Sequence, residues 1–131
     1  MTDMDRSHRL GDLQYAIMRV LWERGEATVA QVHEDLGSSR ALTTVATMLT
    51  KLEKKGAVSH RTEGRQFVYA ASISKSDVRS TMVGDLADQL FQGDASALVS
   101  HLIEEGEIDA TQLDRLSALI DEARKSRGEE A

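Results

Sequence analysis

The chain has 131 residues, is 40% hydrophobic, holds only one Trp, two Tyr and two Phe, lacks cysteine and proline, and carries a formal net charge of −6. The length suits one domain, or two small units that share a core with a partner. The missing cysteine excludes disulfides, thiolate metal sites and a cysteine nucleophile. No stretch approaches the roughly 20 apolar residues of a membrane span, and the polar opening MTDMDRSHRLGD has no apolar run for a signal peptide. The expectation is a soluble, cytoplasmic protein with no membrane partner.

Along the chain, GDLQYAIMRVLWERG spaces Leu13, Ile17, Val20 and Leu21 on one helical face, with Trp22 alongside, and ends at Gly25. TVAQVHEDLG opens on Thr28 with Gln31 three residues on, a capping-box pattern, and lines up Val29, Val32 and Leu36 before Gly37. A third helix runs from about Leu42 to Lys55 and stops at Gly56. The period then changes. In AVSHRTEGRQFVYA, Val58 and His60 alternate, Glu63-Gly64 turns the chain, and Phe67 and Tyr69 alternate on the return. Three helices followed by a hairpin with a charged tip is the order of a winged helix-turn-helix.

Three further helices follow, the last starting from the good cap Asp109. Their apolar stripes run through Val78, Met82, Leu86 and Leu90, then Leu98 and Leu102 with neighbouring Val99 and Ile103, then Leu113, Leu116, Ile120 and Ala123. Short helices are marginal alone in water, so these stripes need a shared core, and a twofold copy of the chain is an economical source. The tail RKSRGEEA is expected to fray. The fold class is therefore mainly α with a small β-hairpin. A winged helix-turn-helix DNA-binding domain spans residues 1–74, and a C-terminal three-helix dimerisation region, with Met82 and the residues after it on its stripes, spans 75–131.

Charge and the third helix point to a partner. Residues 1–75 hold 11 Lys or Arg against 9 Asp or Glu, whereas residues 76–131 hold 5 against 13. Within the first part, residues 36–75 hold 7 basic against 2 acidic residues, so a basic face sits inside an acidic chain. On a helical wheel Val45, Met48, Leu49 and Leu52 fall within a sector about 100° wide. Thr43, Thr47, Thr50 and Lys54 cluster opposite, with Thr44 and Lys51 at the edge. A helix that enters the major groove offers its N-terminal residues to base edges, where threonine can donate, accept and touch a thymine methyl. Lys51 and Lys54 suit phosphates or guanine edges. Arg61 and Arg65 on the hairpin, and Arg40 before the helix, are placed to reach flanking backbone. Each residue alone reads as ordinary solvated surface. The arrangement points to double-stranded DNA.

Other chemistry finds little support. His8, His33, His60 and His101 are too scattered for metal-ligand spacing, and the acidic run EEGEID reads as a solvated loop. There is no glycine-rich phosphate loop and no G-x-S-x-G nucleophile motif. The chain is expected to be no enzyme and to need no cofactor or metal. The alternative from another class is a winged-helix adaptor that binds proteins and lacks sequence-selective duplex binding.

LQYAIMRVLWERGEATVAQVHEDL followed by LTTVATMLTKLEKKGAVSHRTEGRQFVY resembles the BlaI/MecI/CopY family of bacterial transcriptional repressors. The match is strongest in TTVATMLTKLEKKG and in the wing ending FVY, and weaker over the C-terminal helices. The resemblance implies a homodimer whose winged-helix domains bind a palindromic operator and repress resistance or stress genes, its own included. It implies that Thr44, Thr47 and Lys51 face DNA and that the C-terminal helices pair the copies. Thr43 and Ala46 fall where some relatives carry basic residues. Two departures stand out. Relatives that control β-lactam resistance are cut at an Asn-Phe bond; the matching position is His101-Leu102, and the chain has no asparagine. Copper-responsive relatives carry C-terminal cysteines, which are absent here.

Overall fold

The computed structural model describes residues 8–37 and 40–128. Residues 1–7 of the polar opening and 129–131 of the tail lie outside the described residues. The elements are α1 (Asp12–Arg24), β1 (Ala27–Thr28), α2 (Val29–Asp35), α3 (Leu42–Lys54), β2 (Val58–Glu63), β3 (Gln66–Ala71), α4 (Lys75–Phe91), α5 (Ala95–Glu104) and α6 (Ala110–Ser126). This is the mainly helical winged helix-turn-helix order anticipated from the sequence. Among the described residues no helix is long and apolar enough to cross a membrane.

The chain divides into two compact units, Met1–Asp85 and Leu86–Ala131. In the first, helical periodicity becomes a core. Ile17, Met18 and Leu21 of α1, Val32 of α2, and Val45, Leu49 and Leu52 of α3 are fully or almost fully buried together. Gly25 ends α1 at φ 86°, a left-handed conformation that glycine adopts without steric cost. Thr28 caps α2 by accepting from the Gln31 backbone N–H at 3.2 Å, while the Gln31 side chain accepts from the Thr28 N–H at 2.9 Å. Both halves of the capping box are therefore made.

The sheet holds one strand more than the sequence pattern leads one to expect. Ala27 and Thr28 pair antiparallel with Tyr69 and Val68, giving the order β1-β3-β2. Two residues are too few to display a period of two, so β1 is invisible as pattern. It has a consequence: β3 becomes the central strand, and Val68 and Tyr69 are both buried rather than alternating. β2 and β3 stay in register from Val58↔Ala71 to Glu63↔Gln66. The connection is the two-residue turn Gly64-Arg65, with Gly64 at φ 62°, the glycine-first pattern suited to a tight hairpin.

The first turns of α4 belong to the first unit. Val78 is fully buried there. Arg9 Nε donates to Asp85 Oδ2 at 2.8 Å, and Trp22 Nε1 donates to the Ile73 carbonyl at 3.0 Å, tying the segment before α4 to α1. Val78 thus leaves the apolar stripe it shares in sequence with Met82, Leu86 and Leu90.

In the second unit the helices are well started but thinly covered. Asp94 accepts from the Ala97 N–H at 3.1 Å to cap α5, and Asp109 accepts from the Gln112 N–H at 2.8 Å to cap α6. Phe91 and His101 lie with ring centroids 6.0 Å apart. Neither α5 nor α6 contains a buried residue.

Candidate nucleic-acid interface

α3 and the β2–β3 hairpin carry the polar face anticipated from sequence. Burying Val45, Leu49 and Leu52 turns the opposite side of α3 outward, and Thr43, Thr44, Thr47, Lys51 and Lys54 are all exposed. Thr50 spends its hydroxyl on its own helix, donating to the Ala46 carbonyl at 3.1 Å. Among the described residues α3 begins at Ala41 with no side-chain cap, in contrast to the capped starts of α2, α5 and α6.

The turn before α3 is held by a residue that is unremarkable in the sequence. His33 Nε2 lies 2.8 Å from the Arg40 carbonyl oxygen. A carbonyl only accepts, so Nε2 carries the hydrogen and donates. The contact closes the connection from α2 to α3, and the Arg40 side chain remains exposed.

The sheet meets α3 through an aromatic ladder. His60 stacks on Phe67 with centroids 4.0 Å apart and 20° between planes, and lies 5.5 Å from the Tyr69 ring. His60 Nδ1 donates to both Glu53 oxygens, at 2.7 and 2.8 Å, which binds strand β2 to α3. Burial is the leading cause that raises the Tyr69 hydroxyl pKa, followed by the Glu53 charge.

These contacts sort the charges. Both acids of the basic segment are occupied: Glu53 by His60 and Glu63 by Arg61. Among the described residues Arg40, Lys51, Lys54 and Arg65 have no ion-pair partner, and Arg65 stands at the hairpin tip. Arg61 differs. It pairs with Glu63 at 2.6 Å and with Glu26, just before β1, at 2.7 Å. Hydrogen bonds to Glu26 and Glu63 raise the Arg61 pKa, and the bond from Arg61 holds Glu26 below the usual carboxylate range. A groove of about 370 Å³ lies between the start of α2, the start of α3 and the hairpin, lined by Val29, Leu42, Arg65 and Phe67 among others. Leu42 and Phe67 are large apolar side chains left about half exposed.

The structure therefore brings Arg40, Thr43, Thr44, Thr47, Lys51, Lys54, Arg61 and Arg65 into one unit, with Arg61 committed to carboxylates. The residues read as dimerising do not share one environment. Met82 is half-buried in the first unit, and Leu98, Leu102 and Leu116 are half-buried in the second. Leu86, Leu90, Leu113 and Ile120 are exposed, Leu90 by 62% and Ile120 by 47%. Ile103, beside Leu98 and Leu102 in the α5 stripe, is exposed too, and exposed Leu119 extends this apolar surface outside the stripe pattern. Glu26 is invisible as a site residue in the sequence because it lies 35 positions from Arg61, and no local signal links them.

The sequence profile described as penicillinase repressor matches residues 10–122. The chain belongs to the penicillinase repressor family. Within that family it is similar to the transcriptional regulator BlaI of Mycobacterium tuberculosis, 36% identical over 129 residues that cover 95% of this chain and 92% of the relative. It is also similar to the penicillinase repressor of Bacillus licheniformis, 25% identical over 128 residues, 96% of this chain and all of that one. The solution structure of monomeric Bacillus licheniformis BlaI with the blaP half-operator aligns at 35% identity over 53% of this chain and 87% of that one, with a TM-score of 0.46. The family match spans both units, so the weak C-terminal resemblance read from sequence belongs to the same relationship.

Proposed function

We propose that this chain is a homodimeric, sequence-specific DNA-binding repressor of transcription, acting on a palindromic operator, and that it is not an enzyme. The observation that carries the reading is the sorting of charge around α3. Both acids in the segment are tied to neighbours, whereas Arg40, Lys51, Lys54 and Arg65 have no ion-pair partner among the described residues and stand beside an exposed threonine face. Membership of a family of repressors supports it. In this reading α3 enters the major groove. Thr43, Thr44 and Thr47 meet base edges through hydroxyl and methyl groups, and Lys51 and Lys54 meet phosphates or guanine edges. Arg65 at the wing tip, Arg61 behind it and Arg40 take the flanking backbone.

Labour is divided between residues 1–74, which bind DNA, and residues 75–131, which pair two copies. The second unit leaves Leu86, Leu90, Leu113, Leu119 and Ile120 exposed. Covering that much apolar surface favours association with a second copy. The pair then spaces two half-sites about one or two helical turns apart. The site of action is the cytoplasm, and the regulated genes are those of resistance or stress. Cleavage at an Asn-Phe bond is not its release mechanism, since the chain lacks asparagine.

The test is fluorescence anisotropy with a duplex from upstream of the protein's own gene and a scrambled copy, at several salt concentrations. The expected result is a preference of about a thousandfold or more, with a steep salt slope. Equal, weak binding to both, and no duplex enriched from a random-sequence pool, would sink the reading in favour of a protein-binding adaptor.

A further inference from the structure

Arg61 sits on strand β2 of the wing and, of Arg40, Lys51, Lys54, Arg61 and Arg65, is the one tied to carboxylates among the described residues. Three of its five donors are spent: Nη2 on Glu26 Oε1 at 2.7 Å, Nε on Glu26 Oε2 at 3.3 Å, and Nη1 on Glu63 Oε2 at 2.6 Å. The bidentate grip of Glu26 is the geometry a guanidinium also offers a phosphate. All three side chains remain half or more exposed. Pairs this exposed are weak enough to open when a better anion is presented.

We propose that Glu26 and Glu63 act as phosphate surrogates that hold Arg61 in reserve, making it a residue that separates operator from non-cognate DNA. The inference rests on the DNA-binding reading above. Non-specific affinity comes almost wholly from cations that neutralise phosphates and release counterions. A guanidinium already neutralised by two carboxylates adds little to that sum. To recruit it, a phosphate must displace Glu26 or Glu63 and leave the freed carboxylate near the backbone charge. A loosely held, sliding duplex has no means of offsetting that cost. On the operator, base contacts along α3 hold the wing against one phosphate, and the exchange becomes effectively intramolecular. Arg65 at the tip, with no ion-pair partner among the described residues, contributes to both modes; Arg61 contributes to one.

The experiment uses the full chain and two duplexes: one selected by the wild-type protein from a random-sequence pool, and its scrambled counterpart. Salt-dependent anisotropy is measured for wild type, E26Q/E63Q, R61Q and the triple variant. Melting temperature and circular dichroism establish that each is folded, and E63Q alone serves if the double variant is not. On scrambled DNA, E26Q/E63Q is expected to bind more tightly, with a log–log salt slope steeper by about one. The triple variant should lack the added slope there. On the selected duplex, R61Q should lose about one unit of slope. An unchanged slope in E26Q/E63Q overturns the proposal. So does a triple variant that keeps the whole gain, because the effect would then come from removing acidic charge and not from releasing Arg61. If wild type selects no duplex at all, the DNA-binding reading has failed and takes this inference with it, a result distinct from selective binding without the Arg61 coupling.

Discussion

The two units treat their apolar residues in opposite ways. In Met1–Asp85 the helical stripes close on one another, and Ile17, Val32, Val45, Leu49 and Leu52 lose all contact with solvent. In Leu86–Ala131 the stripes are just as regular, yet α5 and α6 bury nothing completely and Leu90, Leu119 and Ile120 stay about half exposed or more. Amphipathic periodicity therefore says that a face will be covered and not by what. In the first unit the cover comes from two other helices and a sheet of the same chain. In the second, the same pattern asks for another molecule.

The largest expected effect sharpens that contrast. Leu49→Ala removes a fully buried side chain of α3, and its loss should lower unfolding stability by about 2–5 kcal/mol in urea titration. Leu119→Ala should cost far less when measured in a monomeric background; a comparable loss would mean that the second unit has a closed core of its own. Next comes Ile120→Asp. If a second copy covers this face, burying a charge where roughly 1.5–3 kcal/mol of apolar contact stood should raise the dimer dissociation constant tenfold or more. Sedimentation would then show the 14.4 kDa chain in place of a species of twice that mass. A wild type that sediments as a monomer at micromolar concentration would remove the dimer from the reading.

Two smaller effects separate the roles within the interface of the first unit. Thr47→Ala should weaken binding to the preferred duplex by about 1–3 kcal/mol and to scrambled DNA much less, as measured by anisotropy. A loss equal on both would assign Thr47 to backbone contact. Arg65→Ala should weaken binding to every sequence and reduce the salt slope by about one. An unchanged slope would take the wing tip off the phosphates.

The smallest effect lies in acid. Glu26 is held below its ordinary value by its hydrogen bond from Arg61, and Asp35 by its bond from Arg24. A carboxyl depressed in the folded state contributes stability above its unfolded value and loses it as pH falls through the folded one. The wild type should therefore shed the Glu26 increment below about pH 4.5 and the Asp35 increment below about pH 3.8, the ordinary values of the two groups. E26Q and Asp35→Asn should show lower melting temperatures than wild type at neutral pH and a shallower fall in acid. Both pairs are exposed, so the differences are small. A steeper fall in the variants would reverse the sign of this linkage.

Much of the DNA-facing arrangement is legible in the amino-acid sequence. The wheel of α3 separates Val45, Leu49 and Leu52 from Thr43, Thr47 and Lys54, and the fold buries the first set and exposes the second. The Thr28–Gln31 capping box is equally legible, because both of its hydrogen bonds span three residues. What stays hidden depends on distance along the chain. β1 is two residues long and exists only because β3 comes alongside it. Val78 shares a period with Met82, Leu86 and Leu90, but only Val78 lies where the first unit can enclose it.

The sequence alone determined the order of helices and strands, the side of each helix that seeks cover, and the local excess of positive charge. These follow from i to i+3 and i+4 spacing, caps and composition, all of which act over a few residues. Tertiary structure alone decided which of those positive charges are available. It folded Glu26 against Arg61 across 35 positions and Glu53 against His60 across 7, leaving Arg40, Lys51, Lys54 and Arg65 unpaired among the described residues. Coulombic pairing depends on separation in space, and only the packed sheet and helices set that separation.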